Sequence, residues 1–130
     1  MLHAFPGVTD HTALLRQPWV GASWEGFVIE RTLGALAGCA ATPAAGFFRT
    51  SSGHEIDLVL DFGTQPWATE AKLTSQPSPQ DMERLNRVAD LIEARKRILV
   101  SQTANPAFAD EQISCSLPEL IEFLPSAVAH

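Results

Sequence analysis

No apolar stretch in the 130 residues reaches the length of about 20 needed to cross a bilayer. Glu25, Glu30, Asp57 and Glu70 interrupt the longest ones. The opening residues, Met1 to Pro6, carry neither the basic start nor the apolar core of a secretory leader. Cysteine is scarce: Cys39 and Cys115 lie far apart without CxxC spacing and read as small buried side chains. His3, His11, His54 and His130 form no HxxxH or HExxH pattern, which argues against a dedicated zinc site. Basic residues are few as well. Nine Lys and Arg face fifteen Asp and Glu, for a formal charge of −6, and no basic tail is present. Attraction of nucleic acid through bulk charge is therefore disfavoured, and any such site has to be local. These absences leave a soluble cytoplasmic domain as the expectation.

What is present is the composition of a packed globule, 45% hydrophobic and 18% charged. The length suits one domain, able to bury about two-thirds of its unfolded surface. Residues 1–17 read as a lead-in, with Asp10 capping a helical turn over residues 12–15. Residues 18–101 read as the core and 102–130 as a C-terminal edge strand with a short helix. Within the core, Trp19 to Ala37 is apolar around most of a helix and stops at Gly38. Strands are expected at 47–50, 55–62 and 67–73. In the second of these, Ile56, Leu58, Leu60 and Phe62 alternate with Glu55, Asp57, Val59 and Asp61. Pro77-Ser78-Pro79 opens a second helix over 80–94, and Ile98-Leu99-Val100 is a buried strand. A helical crossover from the third strand implies a parallel pairing there. The fold class is α/β with a mixed sheet flanked by helices.

Chemistry concentrates in Gly53-His54-Glu55-Ile56-Asp57 and Glu70-Ala71-Lys72. A two-residue turn at Gly63-Thr64 would pair positions summing to 127, which sets Asp57 opposite Glu70. Opposed carboxylates destabilise a sheet unless a cation compensates them. Mg²⁺ or Mn²⁺ is the natural one, with Lys72 beside it to orient water or stabilise a charged phosphate. The plainer alternative makes Lys72 a counter-ion for Asp57 or Glu70. Glu30 sits on a helix face flanked by Gly26, Phe27, Leu33 and Gly34, so it is either a third ligand or a partner of Arg31 or Arg49. Glu25 lies roughly 140° around that helix, so only one of the two glutamates can face Asp57.

A glutamate on a first helix, then Asp57, then Glu70-Ala71-Lys72, followed by helix and strand, resembles the PD-(D/E)XK nuclease superfamily. That resemblance implies a restriction-endonuclease-like core of helix, three antiparallel strands, helix and parallel strand. It also implies Glu30, Asp57 and Glu70 as metal ligands and Lys72 as the catalytic lysine of a Mg²⁺-dependent endonuclease. Gly26 to Arg31 is similar to the first-helix motif of Holliday-junction resolvases, although Ile56 stands where a proline often precedes the aspartate. Gly21 to Phe27, Phe48 to Asp57 and Glu70 to Leu73 further resemble a C-terminal domain of unknown function carried by prokaryotic P-loop ATPases. No P-loop signature occurs in this sequence. Implied partners are therefore nucleic acid, DNA before RNA, with a homodimer or an ATPase acting in trans as further possibilities. The alternative is a non-catalytic interaction or dimerisation module.

Weaker nucleic-acid candidates are Arg49, Ser51 and Ser52 around one turn, and Arg84 and Arg87 on the second helix. Each has an ordinary reading, as turn residues or as a solvated face neutralised by Asp81, Glu83, Asp90 and Glu93.

Overall fold

The computed structural model describes residues 12–15, 24–39, 43–63 and 65–128. Strand β1 (Thr12–Leu15) precedes helix α1 (Trp24–Ala37) and the strands β2 (Ala44–Thr50), β3 (Glu55–Asp61) and β4 (Trp67–Ala71). Helix α2 (Pro79–Ala89) runs on through a 3₁₀ turn (Asp90–Ile92) to β5 (Lys96–Ser101). Then come β6 (Ala107–Phe108), β7 (Gln112–Ser116) and helix α3 (Leu117–Val128). All seven strands join one mixed sheet in the order β1-β2-β3-β4-β5-β7-β6. Strands β1 to β4 are each antiparallel to the next, β5 runs parallel to β4, and β7 runs parallel to β5.

Helices cover both faces, so the central strands are apolar on both sides. Val28, Ile29 and Leu36 of α1 and Leu120 and Leu124 of α3 pack on Leu58, Leu60, Ile98, Val100, Ile113 and Cys115. On the other face Leu85, Val88 and Ala89 of α2 pack on Phe48, Ile56, Val59, Ala68 and Leu99. None of the helices among the described residues is long and apolar enough to cross a membrane.

Three expectations need correction, and part of a fourth lies outside the described residues. Residues 12–15 are a strand and not a capped helical turn, because the outer edge of β2 offers a row of unpaired backbone groups that β1 fills. The first helix is described only from Trp24, and residues 18–23 lie outside the described part. The strict alternation expected in β3 breaks. Gly46 pairs with Val59 but Phe48 pairs with Ile56, so Asp57 and Leu58 together oppose Phe47 in a β-bulge. Ile56 therefore joins Val59 on the α2 face, while Leu58 and Leu60 face α1 and α3. Finally, β7 is no edge strand. It lies between β5 and β6, and α3 seals the core beneath it, with Leu120 and Leu124 fully buried.

Local chemistry fixes the helix starts. Pro79 occupies the first turn of α2, where a missing N–H costs nothing, and the Ser78 N–H donates to Asp81 Oδ2 at 2.8 Å. Before α3, both the N–H and the hydroxyl of Ser116 donate to Glu119 Oε1 at 2.8 Å, a box-like cap.

Candidate functional site

The β3–β4 register pairs Leu58 with Thr69, Val59 with Ala68 and Leu60 with Trp67. The ladder ends at Leu58 and Thr69, one step short of Asp57 and Glu70. The turn itself is wider than two residues. Strand β3 ends at Asp61 and β4 begins at Trp67, Gly63 takes φ 90°, its N–H donates to Asp61 Oδ1 at 2.8 Å, and the Phe62 and Trp67 rings pack 4.8 Å apart. At the other end the backbone ladder stops where the bulge begins. There the Ala71 N–H donates to the Asp57 side chain, Oδ2, at 3.0 Å. The bulge thus brings the Asp57 carboxylate between two strands that are parting.

Burial dominates the electrostatics of both carboxyls. Asp57 is raised above the ordinary aspartate range by desolvation, opposed by the Ala71 N–H and reinforced by the charges of Glu25 and Glu55. Glu70 is pushed up to about 7, first by desolvation and then by Asp57, with Arg84 and Lys72 pulling the other way. Oxygen donors of this kind suit a hard divalent cation.

Glu30 and Glu25 are both exposed on α1, and Glu25, in the first turn, is the α1 residue whose charge reaches Asp57. Among the described residues no three His, Cys, Asp or Glu side chains converge into a ready metal-holding group.

Lys72 follows Glu70 and Ala71 at the end of β4, and its N–H donates to the Val100 carbonyl at 2.8 Å. Its ammonium donates to Asp81 Oδ1 at 2.5 Å, so the counter-ion is Asp81 of α2 and neither of the two expected carboxylates. Asp81 is only 5% exposed and is held below the ordinary aspartate range, chiefly by the Lys72 hydrogen bond. Sequence reasoning placed Asp81 among the neutralisers of the arginine face. Its position three residues after the Ser78 cap was the available sign of a carboxylate fixed at a helix N-terminus.

The weaker candidates scatter. Arg49 pairs with Glu55 at 3.3 Å and lies over the Phe47 ring. Ser51 and Ser52 are exposed in the β2–β3 turn, where Gly53 takes φ 94°, and the Ser52 hydroxyl shares a hydrogen bond of 3.0 Å with that of Thr50. Arg84 and Arg87 are exposed on α2, and Arg84 lies 3.9 Å from Asp81 on the carboxylate side.

Comparison with known proteins places the chain in a family. Uncharacterized proteins of Mycobacterium bovis and Mycobacterium tuberculosis are each 34% identical to it over 132 aligned positions. These alignments cover 95% of this chain but 29% of either relative, so the chain spans under a third of their length. A family profile matches residues 20–120, which take in α1, the Asp57 bulge, Glu70, Lys72 and β7. With that span covered, the chain belongs to the family described as a domain of unknown function, DUF4143.

Proposed function

We propose that this chain is a metal-dependent, nuclease-like domain of the PD-(D/E)XK type that cleaves phosphodiester bonds in nucleic acid, with DNA as the favoured substrate. The observation that carries the reading is the closeness of Asp57 and Glu70 where β3 and β4 part: desolvation and the Asp57 charge push Glu70 up to about 7 although Arg84 and Lys72 pull the other way. The run from α1 through the antiparallel β2, β3 and β4, then α2 and the parallel β5, supports it.

Asp57 and Glu70 would hold Mg²⁺ or Mn²⁺, with Glu25 taking the part expected of Glu30. Bound there, the ion supplies an acidified water and screens a phosphodiester gaining negative charge. Burial and mutual repulsion leave Glu70 with a proton near neutrality, poised to give it up when positive charge arrives. Lys72, anchored by Asp81, keeps a fixed positive charge beside Glu70, suited to a phosphate oxygen in the transition state.

Plasmid, single-stranded and branched DNA incubated with the purified chain and Mg²⁺ or Mn²⁺ test the reading. Cleavage is expected, falling about 100-fold or more in Lys72→Ala and in Asp57→Asn. Asp57→Asn retains an acceptor for the Ala71 N–H, so its loss of activity would not report unfolding. Absence of cleavage by the wild type on every substrate would overturn the proposal. The second reading, an interaction or dimerisation module, gains from two observations: the Lys72 ammonium is bonded to Asp81, and Glu30 is exposed. A partner ATPase in trans belongs to that reading.

A further inference from the structure

A cavity of about 620 Å³ opens at the carboxyl ends of β5 and β7. Trp24 and Phe27 of α1 and Ile121 of α3 form apolar walls, while Ser101, Gln102 and Arg31 supply polar groups. Crevices outside the carboxyl ends of parallel strands are where α/β sheets take ligands, and the volume falls within the usual range for bound small groups. The cavity and the carboxylates share their framework. Trp24 adjoins Glu25, whose charge Asp57 feels, and the Gln102 N–H donates at 2.8 Å to the Thr74 carbonyl, just beyond Lys72.

Two further features define what fits. Phe27 is 46% exposed, with the Arg31 guanidinium 5.6 Å from its ring centroid. Among the described residues no carboxylate pairs with Arg31, the only charged group lining the cavity. An aromatic platform topped by an available cation suits a planar ring joined to an anion. The chain carries −6 overall, so it has little means of tracking the closely spaced phosphates of a duplex. Stacking on an aromatic side chain beside a cation is how single strands are held, and it requires an unpaired base.

We infer that this cavity is a subsite for an unpaired nucleotide, its base stacked against Phe27 and Trp24 and its phosphate met by Arg31. The inference rests on the nuclease reading and narrows its substrate class to single-stranded or junction-bearing DNA. Gln102 and Ser101 offer hydrogen bonds to the base edge.

Fluorescence anisotropy with a labelled mixed-sequence strand, free and in its duplex, tests this on the whole chain with Ca²⁺ present. The wild type is expected to bind the single strand more tightly than the duplex. Phe27→Ala and Arg31→Ala should each weaken single-strand binding about ten-fold or more and leave duplex binding unchanged, while Phe27→Trp retains it. Both residues are exposed, and thermal melts of the variants confirm that they fold. Single-strand affinity unchanged in Phe27→Ala, equal loss for strand and duplex, or absence of strand binding by the wild type would each overturn the subsite. The two proposals separate cleanly. Aromatic-dependent strand binding without cleavage under any metal keeps the subsite and sinks the nuclease. Lys72-dependent cleavage with strand binding indifferent to Phe27 does the reverse.

Discussion

Glu70 is an acid whose proton the native chain holds more tightly than the unfolded one. Its native value of about 7 stands above the ordinary 4.5, so between these limits the native state binds more protons. Stability contributed by the neutral form is therefore full below about 4.5 and is lost as pH rises through about 7. Glu70→Gln should remove this slope and leave the chain more stable than wild type at pH 8 by about 1–2 kcal/mol, allowing for solvent screening of a partly exposed group. Urea unfolding at pH 5 and pH 8 measures it, and a wild type equally stable at both would contradict the assignment. Asp57 acts in the same direction. Lys72 and Asp81 behave otherwise. Removing the ammonium strands a carboxylate that is 5% exposed, so Lys72→Ala should cost about 2 kcal/mol. Lys72→Ala/Asp81→Ala should cost less than the sum of the two single changes, which a double-mutant cycle reads directly.

At the scale of elements, what the sequence could and could not disclose follows from how local each signal is. The β3–β4 register needs only a turn centre, and it holds from Leu58–Thr69 to Leu60–Trp67 although β3 ends at Asp61 and β4 begins only at Trp67. The bulge was hidden, because Ile56, Leu58 and Leu60 alternate in sequence as a regular strand does; only the ladder with β2 exposes the extra residue. Residues 12–15 were equally opaque, since a short segment takes its form from the edge it meets. The choice between Glu25 and Glu30 depended on how α1 is rotated over the sheet, a tertiary fact beyond helical periodicity. The C-terminal segment was underrated because its strand is short, while its weight lies in the helix that follows. Leu120 of α3 is fully buried beneath β7 and β5. Leu120→Ala should destabilise the whole chain by 2–5 kcal/mol, with a single cooperative transition by urea unfolding. Loss confined to the last helix would mean that α3 is an appendage.

Across the whole molecule, the two faces of the sheet divide the labour. One face, under α1 and α3, carries the cavity and Glu25; the other, under α2, carries Asp81 and Arg84. The carboxylate pair lies where β3 and β4 separate, so groups from both layers reach it. A reading of the chain in one dimension sees the order of elements but not this convergence, which requires the sheet to be closed on both sides.

Cys115 sits in β7 with none of its surface exposed and its thiol pushed up to about 12 by burial. Thiolate is the species that alkylating reagents attack, so this sulfur is silent for as long as β7 stays in place. Cys39, half-buried at the end of α1, has no such shield. A pulse of iodoacetamide therefore reads two clocks in one molecule: an early one from Cys39, and a late one from Cys115 that ticks only when the β5–β7 seam opens. Slow labelling of Cys115 that accelerates with urea in step with global unfolding would show that this seam and the carboxylate site part together.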